Sequence, residues 1–218
     1  MARVRVLSAA AEVYPLVKTG GLADVAGALP KALAVEDVAV TTLVPGYPAV
    51  LQALTGASAV LTLDDLFGAG ARVLAGTAAD LDLLVLDAPH LFARAGNPYA
   101  GPGGEDWTDN ALRFAAFAQI AARIAGGAMP GYRPDVLHAH DWQTALAPAY
   151  LHYSGAQAAP SVVTVHNLAF QGLFAPDLLP ALGLPREAHA VDGIEFHGRI
   201  SYLKAGLQFA DRITTVSP

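Results

Sequence analysis

The 218-residue sequence contains no cysteine, and charged residues make up only 15% of it. The absence of cysteine excludes disulfide bonds, thiolate metal sites and a cysteine nucleophile. The formal net charge is -6, which argues against nucleic acid or an anionic membrane as the main partner. No segment reaches the roughly 18 consecutive apolar residues that a membrane-spanning helix needs. We therefore expect a cytoplasmic protein that binds neither nucleic acid nor a membrane.

The amino terminus superficially resembles a signal peptide, because residues 1–17 combine two arginines with an apolar run. Glu12 and Pro15 interrupt that run. The pattern RVRVLSA is therefore more typical of a buried first strand than of a cleaved targeting segment.

Hydrophobic residues make up 54% of the chain, enough to form a sizeable core. The predicted strands span residues 3–9, 38–44, 71–77, 81–87, 135–140, 161–166 and 212–217. The predicted helices span residues 22–35, 108–126, 142–153 and 199–210. Several strands are apolar at nearly every position, as expected where helices cover both faces of a parallel sheet. This alternation predicts an α/β fold, Rossmann-like and doubly wound, with a mostly parallel sheet and right-handed crossovers.

Some segments depart from regular alternation. Residues 38–87 hold three predicted strands with little helix between them, which indicates a hairpin or an irregular edge. Residues 95–106 and 167–198 are predicted loops. The sequence stops directly after its last strand, where domains of this class usually continue into a covering helix. We therefore expect one domain, residues 1–218, of a longer protein.

Polar residues follow several strands of the predicted sheet, and ligands of open α/β sheets bind at the carboxyl ends of strands. Lys18 and Asp24 follow the first strand, and Ser217 ends the last. The segments 138–141 and 166–167 end two further strands. We expect three of these sets to converge on one edge of the sheet: Lys18 with Asp24, residues 138–141, and residues 166–167.

The motif KTGG places Lys18 before Gly20 and Gly21, where a helix is predicted to begin. The amino end of a helix carries unpaired amides and a partial positive charge, and glycines let that backbone approach a phosphate. The alternative is a plain turn. The motif has neither the Walker nor the dinucleotide-binding glycine spacing, so its shape alone does not decide between them.

The motif HAHD raises the possibility of a metal site. His138 and His140 alternate on a strand and so point the same way, as zinc ligands can. The alternative is packing within the fold, which we favour because His152, His166 and His197 show no ligand spacing. His166 itself ends an apolar strand, where a lone histidine is more often structural, although its position at the sheet edge favours a function. No G-x-S-x-G motif is present, which disfavours a serine hydrolase.

Taken together, the motifs closely resemble those of the amino-terminal half of bacterial glycogen synthases and plant starch synthases, over residues 3–218. The segments that carry the resemblance occur in the same order; they are AAEVYPLVKTGGLADVAGALPKAL, LVPGYPAV, GNPY, WTDNALRFA, RPDVLHAHDWQTALAPAYL, VVTVHNLAFQGLF and IEFHGRISYLKAGLQFADRITTVSP. KTGGLADV and HAHDW are the most specific of them.

The resemblance implies the GT-B glycosyltransferase architecture, with two Rossmann-like domains facing a cleft, of which this chain is the amino-terminal one. It implies retaining transfer of glucose from ADP-glucose to the non-reducing end of an α-1,4-glucan, without a metal or other cofactor. The amino-terminal domain would mainly hold the glucan, and the other domain most of the nucleotide sugar. We therefore expect this chain alone to be inactive.

The resemblance also implies roles for the residues of the KTGG motif. Lys18 and the amides near Gly20 and Gly21 would contact the diphosphate of the donor. Asp24 would shape this loop or contact a ligand.

Further roles follow for residues at the other strand ends. His166 and Asp141 would be the catalytic residues, with His166 over the transferred glucose and Asp141 bonded to sugar hydroxyls. Asn167 would bind substrate, and Tyr99, in the motif NPY, would line the cleft.

Some alternatives stay open. The chain could be a non-catalytic module that binds glucan or a partner, or a relative that uses UDP-glucose; a metal-dependent hydrolase is the least favoured. Asp37 stands where the family commonly has glycine, and aspartate tolerates the left-handed conformation moderately well. We expect little functional change from it.

Overall fold

A computed structural model of the chain describes residues 3–155 and 157–216. Its main sheet has eight strands: β1 (Val4–Ala9), β2 (Val38–Pro45), β3 (Thr55–Leu63), β4 (Ala71–Ala78), β5 (Leu81–Asp87), β6 (Val136–His140), β7 (Ser161–Val165) and β11 (Arg212–Thr215). A second sheet has three short strands: β8 (Leu173–Phe174), β9 (Glu195–Phe196) and β10 (Arg199–Ser201).

Six α-helices connect or flank these strands: α1 (Gly21–Ala34), α2 (Pro48–Ala53), α3 (Pro89–Phe92), α4 (Asn110–Ala125), α5 (Leu146–Ser154) and α6 (Tyr202–Phe209). Single 3-10 turns lie at Pro176–Leu178 and Arg186–Ala188. Within the described residues, no helix has the length and apolar character needed to cross a bilayer.

The order of the main sheet is β11-β7-β6-β1-β2-β5-β4-β3. Five neighbouring pairs, from β11 across to β5, are parallel. The chain enters at the middle of the sheet and winds first to one side and then to the other. The predicted Rossmann-like, doubly wound and mostly parallel sheet is confirmed.

One edge of the sheet is antiparallel, since β4 pairs in that sense with both β3 and β5. The hairpin or irregular edge expected within residues 38–87 is therefore confirmed. The strand β3 itself was missed: most of its residues are small and exposed, so it lacks the apolar signal of a buried strand.

Two predicted helices begin too early. The residues before α5 form turns, because Asp141 is left-handed (φ 55°) and its carbonyl accepts from the amide of Thr144 at 3.2 Å. Residues 199–201 form β10 before α6 begins. The last strand ends at Thr215, and Ser217, predicted to end this strand, lies outside the described residues.

The helix α4 fills the centre of the core, and thirteen of its sixteen residues are buried. Many of them are alanines, which let the helix lie close to its neighbours α5, β1 and β6. Arg113 of this helix is buried as well, and donates to the carbonyls of Leu91 at 2.7 Å and Pro98 at 2.9 Å. The buried guanidinium thus ties α4 to the segment that carries the NPY motif.

The left-handed conformation considered for Asp37 is present, with φ 60°. It lies in the turn between α1 and β2, where the chain reverses after its first helix.

Candidate functional site

A cleft of about 1030 Å³ opens at the carboxyl ends of the strands. It lies where β1 and β6 are neighbours and the chain winds away in opposite directions, which is the usual ligand position in this class of sheet. Predicted site residues from several segments meet in its lining: Gly20, Gly21, Tyr99, Asp141, His166 and Asn167. Lys18 and Asp24 lie outside that lining.

Another cavity, of about 810 Å³, lies between the carboxyl ends of α4 and α5 and residues 183–187. None of the predicted site residues lines it. The cleft at the strand ends is therefore the candidate functional site.

The carboxylate of Glu12 accepts four hydrogen bonds in the cleft, and Glu12 was not predicted as a site residue. Glu12 is 3% exposed and lies three residues after the end of β1. It accepts hydrogen bonds from the amide and the hydroxyl of Thr19, the latter at 2.7 Å, and from the Gly20 amide at 3.3 Å. The Tyr99 hydroxyl donates to it as well. The amides of the KTGG loop therefore do meet an anion, and in this structure that anion belongs to the protein.

The two glycines of the loop are required neither by conformation nor by packing. Gly20 is extended (φ -144°, ψ -165°), and Gly21 is the first residue of α1. No atom lies within 4 Å of the point where a Cβ would stand on either residue. What the glycines provide is open space on the cleft side of the loop. This observation favours the ligand-approach interpretation of the motif over the plain turn.

Lys18 is held by Asp24, with its Nζ 2.7 Å from both carboxylate oxygens. The two side chains are 45% and 51% exposed. Exposed ion pairs contribute at most about 1 kcal/mol, so an anionic ligand could replace Asp24 at little cost.

Asp141 connects the ends of β6 and β7. Its left-handed backbone turns the buried carboxylate towards the next strand, where Oδ1 accepts from the amides of His166 at 2.6 Å and Asn167 at 3.4 Å. No described residue hydrogen bonds to Oδ2, which leaves that oxygen as an acceptor at the cleft. Burial raises the pKa of Asp141, and the bonds from the His166 and Asn167 amides oppose the rise.

His166 lies against His140, which is fully buried: His140 Nδ1 and His166 Nε2 are 3.0 Å apart. His138 also packs against His140, with ring centroids 4.1 Å apart. Burial lowers the pKa of His166, lowers that of His138 to about 4, and lowers that of His140 well below its ordinary value. All three rings are therefore neutral at pH 7.

The structure does not support a metal site at the HAHD motif. In the part of the chain that the structure describes, no three histidine, aspartate or glutamate side chains are arranged to hold a metal ion. His138 instead contacts the hydroxyl of Thr164, at 2.6 Å from Nε2.

An aromatic wall closes one side of the cleft around Trp142. The ring of Trp142 lies 4.9 Å from that of Phe114, 5.9 Å from Phe174 and 6.4 Å from Tyr99, between centroids. Gly172, with φ 59°, passes so close that a Cβ would lie 2.5 Å from Trp142 Cε3. An apolar wall with a few convergent polar groups is the usual composition of a ligand pocket.

Tyr99 is positioned by its backbone as well as its hydroxyl. Its amide donates to Asn97 Oδ1 at 2.8 Å, and its carbonyl accepts from Asn110 Nδ2 at 2.9 Å. Burial raises the pKa of Tyr99 well above its ordinary value, so the phenol stays protonated and donates to Glu12.

Comparison with known proteins gives one consistent result. Residues 5–218 match the family described as the starch synthase catalytic domain. The glycogen synthase of Rhodopseudomonas palustris strain TIE-1 is 62% identical over 218 residues, which are 100% of this chain and 45% of that protein. The glycogen synthase of Acidiphilium cryptum strain JF-5 is 62% identical over 215 residues, 99% of this chain and 45% of that protein.

A solved structure agrees with these relatives. The catalytic domain of starch synthase IV from Arabidopsis thaliana, bound to ADP and acarbose, matches with a TM-score of 0.78 and 27% identity, over 100% of this chain and 45% of that chain. The matches confirm the resemblance read from the motifs and the predicted fold class. The chain spans slightly less than half the length of the relatives it matches.

Proposed function

Because this chain belongs to the starch synthase catalytic domain family, we propose that it forms one domain of a retaining glycosyltransferase. The reaction is transfer of glucose from ADP-glucose to the non-reducing end of an α-1,4-glucan. The observation that carries the proposal is the cleft: residues of the KTGG, NPY, HAHD and VHN motifs meet in it at the switch point of the sheet. The matched starch synthase bound to ADP and acarbose supports the choice of donor and acceptor.

Departure of the nucleoside diphosphate develops negative charge, which preorganised donors stabilise. On this side of the cleft the donors would be the first-turn amides of α1, near Gly20 and Gly21, and the ammonium of Lys18, which lies outside the cleft lining in this structure. Lys18 now pairs with Asp24, and the Gly20 amide with Glu12. Donor binding therefore involves an exchange of partners, in which the exposed Lys18 pair is the easier to replace.

The sugar-binding roles fall to groups at the ends of β6 and β7. Asp141 Oδ2 is positioned to accept from a sugar hydroxyl, and the neutral His166 ring adjoins the same space. The backbone and side chain of Asn167 continue the lining. We assign His166 and Asp141 to the catalytic centre, and Asn167 and Tyr99 to substrate binding.

The proposal includes a second domain, since the matched relatives are about twice the length of this chain. That domain would hold most of the nucleotide sugar, and its closure would exclude water as a competing acceptor. The 218-residue chain alone is then expected to be inactive. No metal or other cofactor enters the proposed reaction.

A chimera tests the proposal directly. Residues 1–218 replace the matched segment of the R. palustris glycogen synthase, and transfer of glucose to glycogen is measured with ADP-glucose and with UDP-glucose, each with and without a chelator. We expect transfer from ADP-glucose at a rate close to that of the parent enzyme, unchanged by the chelator. A folded chimera without activity, beside an active parent, would refute the proposed activity.

The isolated chain provides the second arm of the test. Binding of a maltooligosaccharide, with no glucose transfer, agrees with the proposal when the chimera is active. The same binding beside an inactive chimera would identify a glucan-binding module instead. Loss of activity with chelator would contradict the metal-free mechanism, and a preference for UDP-glucose would correct the donor.

A further inference from the structure

A chain of hydrogen bonds runs from the middle of the sheet to the cleft. Ser8 Oγ of β1 lies 3.1 Å from His140 Nε2 of β6, and His140 Nδ1 lies 3.0 Å from His166 Nε2. Ser8 is 1% exposed and His140 fully buried, whereas His166 lines the cleft. The chain thus connects a buried hydroxyl to the imidazole that the proposed function places at the reaction centre.

The direction of this chain follows from what each group can donate. A neutral imidazole has one N–H donor and one acceptor nitrogen, so the tautomers of His140 and His166 are linked. Among the described residues, the Ser8 hydroxyl has no hydrogen-bond partner other than His140. Buried donors are nearly always paired, so the Ser8 hydroxyl donates to His140 Nε2. His140 then carries its proton on Nδ1 and donates to His166 Nε2.

We propose that Ser8 and His140 are positioning residues that hold His166 as the Nδ1–H tautomer. Its Nε2 is occupied by His140, so Nδ1–H is the donor that the ring offers to an oxygen of the bound ligand. This assignment rests on the proposed function only for the identity of that ligand. The ring of His138 packs against that of His140, with 4.1 Å between their centroids, and so restricts rotation of the middle ring.

A matched control lies in the same sheet. His138 Nε2 lies 2.6 Å from the Thr164 hydroxyl, which in turn lies 2.7 Å from the Thr214 hydroxyl. This second chain has the same chemistry but does not include His166. Thr164→Val therefore breaks a buried histidine–hydroxyl bond and leaves the proposed chain intact.

The decisive measurement is nitrogen NMR of the imidazole rings, in the 218-residue chain labelled with ¹⁵N at neutral pH. We expect His166 and His140 both as Nδ1–H tautomers. In Ser8→Ala, the His166 signals should shift towards a mixture of tautomers, and in Thr164→Val they should stay as in the parent. Ser8→Cys, which keeps a weak donor of similar size, should be intermediate.

Two results would overturn the assignment: a His166 ring that is the Nε2–H tautomer in the parent chain, or an unchanged His166 tautomer in both Ser8 variants. If Ser8→Ala does not fold, Ser8→Cys and the parent spectrum still decide the question.

Activity of the chimera separates this inference from the proposed function. Ser8→Ala should lower kcat roughly twofold to tenfold with little change in KM for glycogen, as expected for a misoriented group. Nδ1–H tautomers in an inactive chimera would uphold the positioning chain and refute the transferase. An active chimera in which His166 is the Nε2–H tautomer would support the transferase and refute the positioning chain.

Discussion

Glu12 offers the sharpest test of how the cleft is held together. Its carboxylate accepts from four donors on two separate segments: the Thr19 amide and hydroxyl, the Gly20 amide, and the Tyr99 hydroxyl. No salt bridge of Glu12 to a lysine, arginine or histidine occurs among the described residues. The substitution Glu12→Ala removes all four contacts at once and leaves the loop and the NPY segment without their common acceptor.

The magnitude follows from two opposing contributions. Hydrogen bonds to a charged group contribute about 1.5–3 kcal/mol each. Burial of a carboxylate without a cation costs several kcal/mol, which the substitution gives back. The freed donors at Thr19 and Gly20 are exposed and can bond to water. We expect a net loss of about 2–4 kcal/mol in the free energy of unfolding, or roughly 4–16 °C in Tm for a chain of this length.

The assay is chemical and thermal unfolding followed by circular dichroism, with Asp24→Ala as the matched control. Asp24 lies in the same part of the chain, but its pair with Lys18 is half exposed, so its removal should cost less than about 1 kcal/mol. Glu12→Gln should fall between the two, because its carbonyl oxygen can face the two amides while the hydroxyls of Thr19 and Tyr99 turn to accept from its NH₂. Equal stability of Glu12→Ala and Asp24→Ala would refute this account of the loop.

Other predictions concern neighbouring groups. Gly172→Ala should lower the free energy of unfolding by about 2–4 kcal/mol in urea titrations, because the residue has positive φ and its Cβ would overlap the Trp142 indole ring. Gly198→Ala is the control: it also has positive φ but lies in open space, so it should cost only about 1 kcal/mol. Burial lowers the folded-state pKa of His138 from 6.5 to about 4. The contribution of His138 to stability is therefore complete above pH 6.5 and is lost as the pH falls from 6.5 through 4, so the free energy of unfolding should decrease by about 2–3 kcal/mol across this range. His138→Gln should make the free energy of unfolding less dependent on pH over the same range. Lys18→Ala in the chimera should raise KM for ADP-glucose about tenfold while changing the free energy of unfolding by less than about 1 kcal/mol, and an unchanged KM would remove Lys18 from the donor site.

Most of the fold could be predicted because its strands are buried on both faces. Such strands, β1 and β5 among them, appear in the sequence as short apolar runs. The edge strand β3 could not be found in this way, since an exposed edge does not require apolar residues. The start of α5 was misplaced because the left-handed turn at Asp141 depends on a contact with the distant end of β7.

The site could be predicted only in its outline. The positions of strand ends indicate which segments meet, so the meeting of Asp141 and His166 was expected. The partners of Glu12 were not, because Tyr99 is 87 residues away in sequence and its approach is fixed by the fold. A charged residue within three positions of the end of a central strand was the available signal for Glu12. The roles assigned to individual site residues stay predictions until the variants are measured.

The two glycines of the KTGG loop have a consequence for the stability of this chain. A sequence chosen for stability alone would have serine at Gly20, where its side chain could cap α1, and alanine at Gly21. Serine at Gly20 would add only a few tenths of a kcal/mol and alanine at Gly21 up to about 0.5–1 kcal/mol, and nothing in the surrounding structure obstructs either substitution. The chain instead keeps the less stable choice at two consecutive positions. A stability-guided redesign that ignored ligands would replace both residues first, and would fill the space that the cleft keeps open.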